Sequence, residues 1–176
     1  MSINLQILNQ EVIKKLKKFN FFTNVSVKSI AFNIERGYID KEIVISQASA
    51  TDILMKSKLV REIAKEIGIK YSSAKNLKEV LYHEYGHAYS RNHTSKKFRA
   101  EFRRLFGGYT SNQESIYDPE IHISEYASKN PDEDFCECFM HFLKWNGKIN
   151  FNNLPGKEYT NGIYYKMKFI KQLSYK

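Results

Sequence analysis

Apolar residues recur at helical spacing through most of the chain, and that pattern predicts most of its elements. Val12, Ile13, Leu16 and Phe19 line one side of a short amphipathic helix over 10–19. From 32 to 46 the period changes. Phe32, Ile34, Tyr38, Ile39 and the run Ile43-Val44-Ile45 flank the turn-like pairs Arg36-Gly37 and Asp40-Lys41, which predicts strands or a hairpin. Leu54, Leu59, Ile63 and Ile67 return to helical spacing over 51–67, and Gly68 stops that run. A further helix starts at Asn76, a good N-cap with Glu79 three residues on, and ends by Asn92. Residues 95–106 form a basic amphipathic helix with Phe98, Phe102, Leu105 and Phe106 on its apolar side, broken by Gly107-Gly108. Asn130-Pro131 opens a helix that runs to Trp145, since proline suits the first helical position. A last helix covers about 159–173.

Length bounds the architecture. One domain is the default for 176 residues, and here it is taken as 1–176, an N-terminal sheet and helix part over 1–75 and a helical part over 76–176. Hydrophobic residues at 42% and charged residues at 27% are globular values, so a packed core is expected rather than disorder. The two cysteines, Cys136 and Cys138, sit too close together to staple a secreted fold. No apolar run approaches the about 20 residues a membrane span needs. In the first nineteen residues the lysines follow the apolar positions and no small-residue cleavage site appears, so a cytoplasmic location is expected, with export by another route left open.

Net charge is +9, a balance compatible with nucleic acid, anionic surfaces or acidic substrates. The densest clusters are Lys14-Lys15-Lys17-Lys18 and Lys96-Lys97-Arg99-Arg103-Arg104. Arginine is scarce and no nucleic-acid motif accompanies them, so solvated helix faces are the preferred reading.

The most informative stretch is His83-Glu84-Tyr85-Gly86-His87, which fits H-E-x-x-H inside an expected helix. On a helix, positions four apart share a face, so His83 and His87 can offer two ring nitrogens to one tetrahedral zinc. Glu84, one residue round, can take a proton from a zinc-bound water whose pKa the metal lowers to about 7.

A third protein ligand has two candidates. Glu133 lies in the Pro131–Phe139 stretch with Glu137 four residues later on the same face, so one can bind metal while the other supports a ligand. Glu133 is also three residues after Asn130, where a plain capping box would place it. His93 stands at the metzincin spacing from His87, but Ser90 replaces the glycine that lets such a helix end and the third histidine turn back. Cys136, Cys138, His122 and His141 read as structural residues.

Residues 123–137, with Ser124, Tyr126, Ala127, Pro131, Glu133, Asp134, Phe135 and Glu137, resemble the second motif of a bacterial family of putative zinc-binding metallopeptidases. That motif reads S-x-Y-A-x-x-x-P-x-E-D-[FW]-A-E, and Arg104-Leu105-Phe106-Gly107 is similar to the same family. The spacing also resembles the lethal-factor-like proteases, including the Pro-Pro endopeptidases. Cys136 departs from the usual alanine. The resemblance covers about 77–145, and it implies His83, His87 and Glu133 as ligands of one zinc per chain and Glu84 as general base. It implies Tyr126 as the hydroxyl that stabilises the oxyanion, and Glu137 as support for a ligand.

The expected fold is therefore a single α+β domain of zincin type, a small sheet carrying the active-site helix and a helical C-terminal half bringing Glu133 to the metal. The expected function is a zinc metalloendopeptidase of the gluzincin class acting on a peptide or protein, with strand 32–46 aligning the substrate. Two alternatives stand beside it: a catalytically silent zincin-fold binding or regulatory protein, and a basic nucleic-acid-associated protein with structural zinc. A site using His93 is a variant of the first reading.

Overall fold

Chain entry into three of the helices follows caps written in the sequence. The computed structural model describes residues 5–21, 26–30, 36–39, 42–46, 72–93, 95–108, 115–149 and 162–175. Its elements are α1 (Leu5–Lys18), β1 (Ser26–Ile30), β2 (Arg36–Ile39), β3 (Glu42–Ser46), α2 (Leu77–Asn92), α3 (Lys96–Phe106), a 3-10 turn (Tyr126–Lys129), α4 (Pro131–Lys144) and α5 (Gly162–Leu173). Asn76, Ser95 and Asn130 cap α2, α3 and α4 by accepting from the backbone N–H three residues on, which satisfies donors the helix itself leaves unpaired. The helix expected over 51–67 lies outside the described residues.

Helix ends are as specific as the starts. At the end of α1, Asn20 takes the left-handed conformation with φ 56°, Phe21 N–H donates to Leu16 O at 2.9 Å, and Asn20 N–H to Lys17 O at 3.0 Å. This paired 6→1 and 5→2 closure satisfies two carbonyls and folds Phe21 back into the core. α4 ends the same way through Asn146 and Gly147, with Gly147 N–H on Phe142 O. A side chain at Gly147 would strike the Phe19 ring at 2.5 Å, so glycine there serves packing as well as backbone freedom.

The core is aromatic. Phe98, Phe102 and Phe106 from α3 pack on Phe135 of α4, with Phe139 of α4 and Phe169 of α5 in the same cluster, ring centroids 5.4–6.3 Å apart. Each fully buried phenylalanine contributes about 1.5–3 kcal/mol relative to exposure. α4 lies at the centre, its residues from Asp134 to Met140 all buried. Inside this shell the buried Lys166 ammonium pairs with Asp134 and also donates to Ile121 O, fixing α5 to α4 and to the loop before the 3-10 turn.

Outside residues 22–71, whose side chains are not described, the core is built by five helices and the loops that join them. The α+β class expected from the sequence is thereby corrected to a helical architecture. The physical reason is that α2 finds its main support on α4, helix face to helix face, rather than on a sheet. The three short strands form a ribbon beside α1 and α2, in the order β1-β3-β2, with β1 parallel and β2 antiparallel to β3. Ile43 and Ile45 stand in β3, the central strand, whose backbone is paired on both sides. Within the 32–46 stretch expected to align substrate, β3 is thus paired on both sides, whereas β2 pairs with β3 alone and stands at the edge of the ribbon.

Candidate metal centre

α2 buries almost its whole length, from Leu77 to Ser90 with only Lys78 partly open. It comes close to α4 at Gly86. A Cβ there would meet Cys136 Cα at 3.1 Å and Sγ at 3.2 Å, so only glycine lets the two backbones come this near. That approach brings the first turn of α4 over the histidine face of α2.

Three of the expected ligands meet there. Glu133 Oε2 accepts from His83 Nε2 at 2.9 Å and lies 3.3 Å from His87 Nε2. Asn130 does accept from Glu133 N–H at 2.9 Å, as the capping reading predicts. The Glu133 carboxylate, however, turns to the histidines and not to the cap. Glu84 follows His83 on the same helix, 5% exposed, and its Oε2 is buried with no hydrogen-bond partner. A buried, unsatisfied carboxylate oxygen is costly and calls for a ligand-related reason.

Each histidine is held from behind by a second carboxylate. Glu137, fully buried, has Oε1 at 2.9 Å from His83 Nδ1, off the line of the ring N–H. It also accepts from Ser72 Oγ at 2.6 Å, Ser73 N–H at 3.0 Å and Ser124 Oγ at 2.8 Å, so its position is fixed by three donors. Asp132 plays the same part for His87: its Oδ2 accepts from His87 Nδ1 at 2.9 Å and from Arg91, and its Oδ1 from Ser90 Oγ at 3.0 Å. Metal-binding histidines regularly carry such a partner on the second nitrogen, which sets the tautomer and the ring orientation.

Electrostatics match this arrangement. Burial opposes charge on both histidines, but the carboxylates outweigh it and raise His83 to about 10 and His87 to about 9. Burial likewise works against ionised Asp132 and Glu137, yet the histidines and the other donors pull both down to about 2. Glu133 is held well below the usual carboxylate range by His83 and His87.

His83, His87 and Cys136 also place two nitrogens and a sulfur within 4.8 Å of one another. Cys136 is the weaker third ligand. Burial pushes its thiol well above the usual value, whereas Glu133 is held well below its own and has Oε2 at 2.9 Å and 3.3 Å from the two Nε2 atoms. The donor set of two imidazoles and a carboxylate, beside the unsatisfied Glu84 oxygen, fits zinc with an open position.

The other sequence candidates sort clearly. Tyr126 opens the 3-10 turn with its ring centroid 5.8 Å from that of His83. His93 is the C-cap of α2, and its ring packs 5.3 Å from Tyr89 and 4.3 Å from Phe98. α2 continues through Ser90 instead of ending there, so the metzincin turn-back does not form. Cys138 is fully buried, His122 is buried on Ser115, and His141 pairs with Ser73. Sequence reasoning missed Asp132, Ser90, Arg91, Ser72 and Ser73. Only Ser124 had a signal, as the serine of the S-x-Y motif.

Among the described residues no helix is long and apolar enough to cross a membrane. No curated protein and no solved structure matches the chain. One family model does match, over residues 7–170, and its description is putative zinc-binding metallo-peptidase. With nearly the whole chain covered and the histidine–glutamate cluster inside the match, the protein belongs to that family of zinc-binding metallopeptidases.

Proposed function

We propose that the protein is a zinc metalloendopeptidase of the gluzincin class, with His83, His87 and Glu133 as ligands and a peptide or protein as substrate. The observation that carries this reading is the convergence of both Nε2 atoms on Glu133 Oε2, next to a buried Glu84 oxygen without a partner. Zinc held there supplies Lewis acidity toward water and the scissile carbonyl.

The chain's own groups divide the remaining work. Glu84 takes the proton of the attacking water on its open oxygen and delivers it to the leaving amine. Tyr126, beside His83, donates its hydroxyl to the oxygen that gains charge as the carbonyl becomes tetrahedral. Glu137 and Asp132 keep the two imidazoles aimed at the ligand side. Glu84→Gln keeps the shape of the side chain and removes the base. We expect that variant to retain one zinc per chain by elemental analysis while peptide cleavage drops by about 10²–10⁴. Wild-type turnover in Glu84→Gln would contradict the reading.

A further inference from the structure

A cavity of about 360 Å³ opens at the junction of α2 and α3, lined by Ser90, Arg91, His93, Arg99 and Arg103. Three arginines therefore line one small space. Arg104, on the same helix as Arg99 and Arg103, is neutralised by Glu101 at 2.7 Å. Arg91 is anchored on Asp132 at 2.8 Å. Arg99 and Arg103, one helical turn apart, have no carboxylate partner among the described residues. The cavity is thus walled by an excess of positive charge, part of it fixed in place.

Its position ties it to the metal centre. Arg91 and His87 donate to the same oxygen, Asp132 Oδ2, and Ser90 donates to the other oxygen of that carboxylate. The wall of the cavity is therefore one carboxylate removed from a candidate zinc ligand. A space of this size suits a single side chain rather than a nucleic-acid strand, and guanidinium forks match the planar geometry of a carboxylate.

We infer that this cavity is a substrate subsite that binds the carboxylate of an acidic side chain, Asp or Glu, in the peptide. The identity of the ligand as substrate rests on the peptidase reading; the charge preference of the cavity does not. Arg99 and Arg103 are the specificity residues, and Arg91 joins the occupied subsite to the orientation of His87 through Asp132.

The test is binding, read without turnover. A fluorescein-labelled alanine octapeptide carrying two glutamates and its glutamine twin are titrated by anisotropy against the full chain, with inorganic phosphate as a competitor. The glutamate peptide is expected to bind about tenfold tighter than its twin, the difference shrinking as salt rises. Arg99→Gln with Arg103→Gln is expected to abolish that preference at an unchanged melting temperature, since both side chains are exposed. Equal affinity for the two peptides, or a preference that survives the double variant, overturns the subsite. Displacement of phosphate without any preference for the glutamate peptide overturns the assignment to substrate. A chain that prefers the glutamate peptide yet cleaves no peptide contradicts the peptidase reading and leaves the charge preference standing.

Discussion

Asp132 and Glu137 both sit on α4, and each faces a different histidine of α2 at the nitrogen turned away from Glu133, Asp132 accepting a hydrogen bond from His87 Nδ1 and Glu137 lying 2.9 Å from His83 Nδ1 as an ion-pair contact. Removing their charge without changing their shape separates orientation from ligation. Asp132→Asn and Glu137→Gln are each expected to weaken zinc binding about 10–100-fold, measured by competition with a chromophoric chelator; unchanged affinity would show that the carboxylates merely fill space. Tyr126→Phe removes a single hydroxyl, and its expected signature is a rate loss of about 10²–10³ at unaltered zinc content. Full activity in that variant would reduce Tyr126 to a packing residue. At this scale the sequence revealed the residues whose spacing is local. His83, Glu84 and His87 lie within one helical turn and a quarter, and Glu133 and Glu137 stand in one motif. Asp132 was hidden because its meaning depends on His87, Ser90 and Arg91, more than forty positions away.

Helix boundaries were legible because caps are local chemistry. Asn76, Ser95 and Asn130 each accept a backbone N–H three residues later, and the expected starts fall within a residue or so of the observed ones. What covers each helix was not legible. Periodicity says which face is apolar and leaves open whether a sheet or another helix meets it. That is why a sheet was expected beneath α2, where α4 provides the main support. Gly86 is the element-scale feature on which this packing turns. Gly86→Ala places a methyl 3.1 Å from the Cys136 backbone, so α4 must move away. A loss of about 1–3 kcal/mol in denaturant unfolding is expected, together with weaker zinc binding as Glu133 is displaced. Gly108→Ala is the control, since nothing lies within 4 Å of the added carbon. Equal behaviour of the two variants would refute the close-approach argument.

For the molecule as a whole, the paired charges set a pH window for the metal-free chain. His83 and His87 are raised from 6.5 to about 10 and 9, so the stability they lend is complete below 6.5 and is lost as pH climbs through 9 and 10. Asp132 and Glu137 are lowered from 3.8 and 4.5 to about 2, so their contribution is present above those ordinary values and is lost as pH falls through 2. The chelated protein should therefore melt at a temperature that declines between pH 7 and 10. Added zinc should raise the melting temperature, because the metal binds the folded chain. A flat alkaline limb without metal would mean that the histidine–carboxylate pairs contribute nothing.

The central claim is the ligand set, and zinc-edge anomalous diffraction from crystals grown without added metal tests it most directly. The account predicts one peak per chain, bonded to His83 Nε2, His87 Nε2 and a Glu133 oxygen, with Glu84 facing the remaining side. A peak bonded to Cys136 or His93 in place of Glu133, or no peak beside intact histidines, would contradict it.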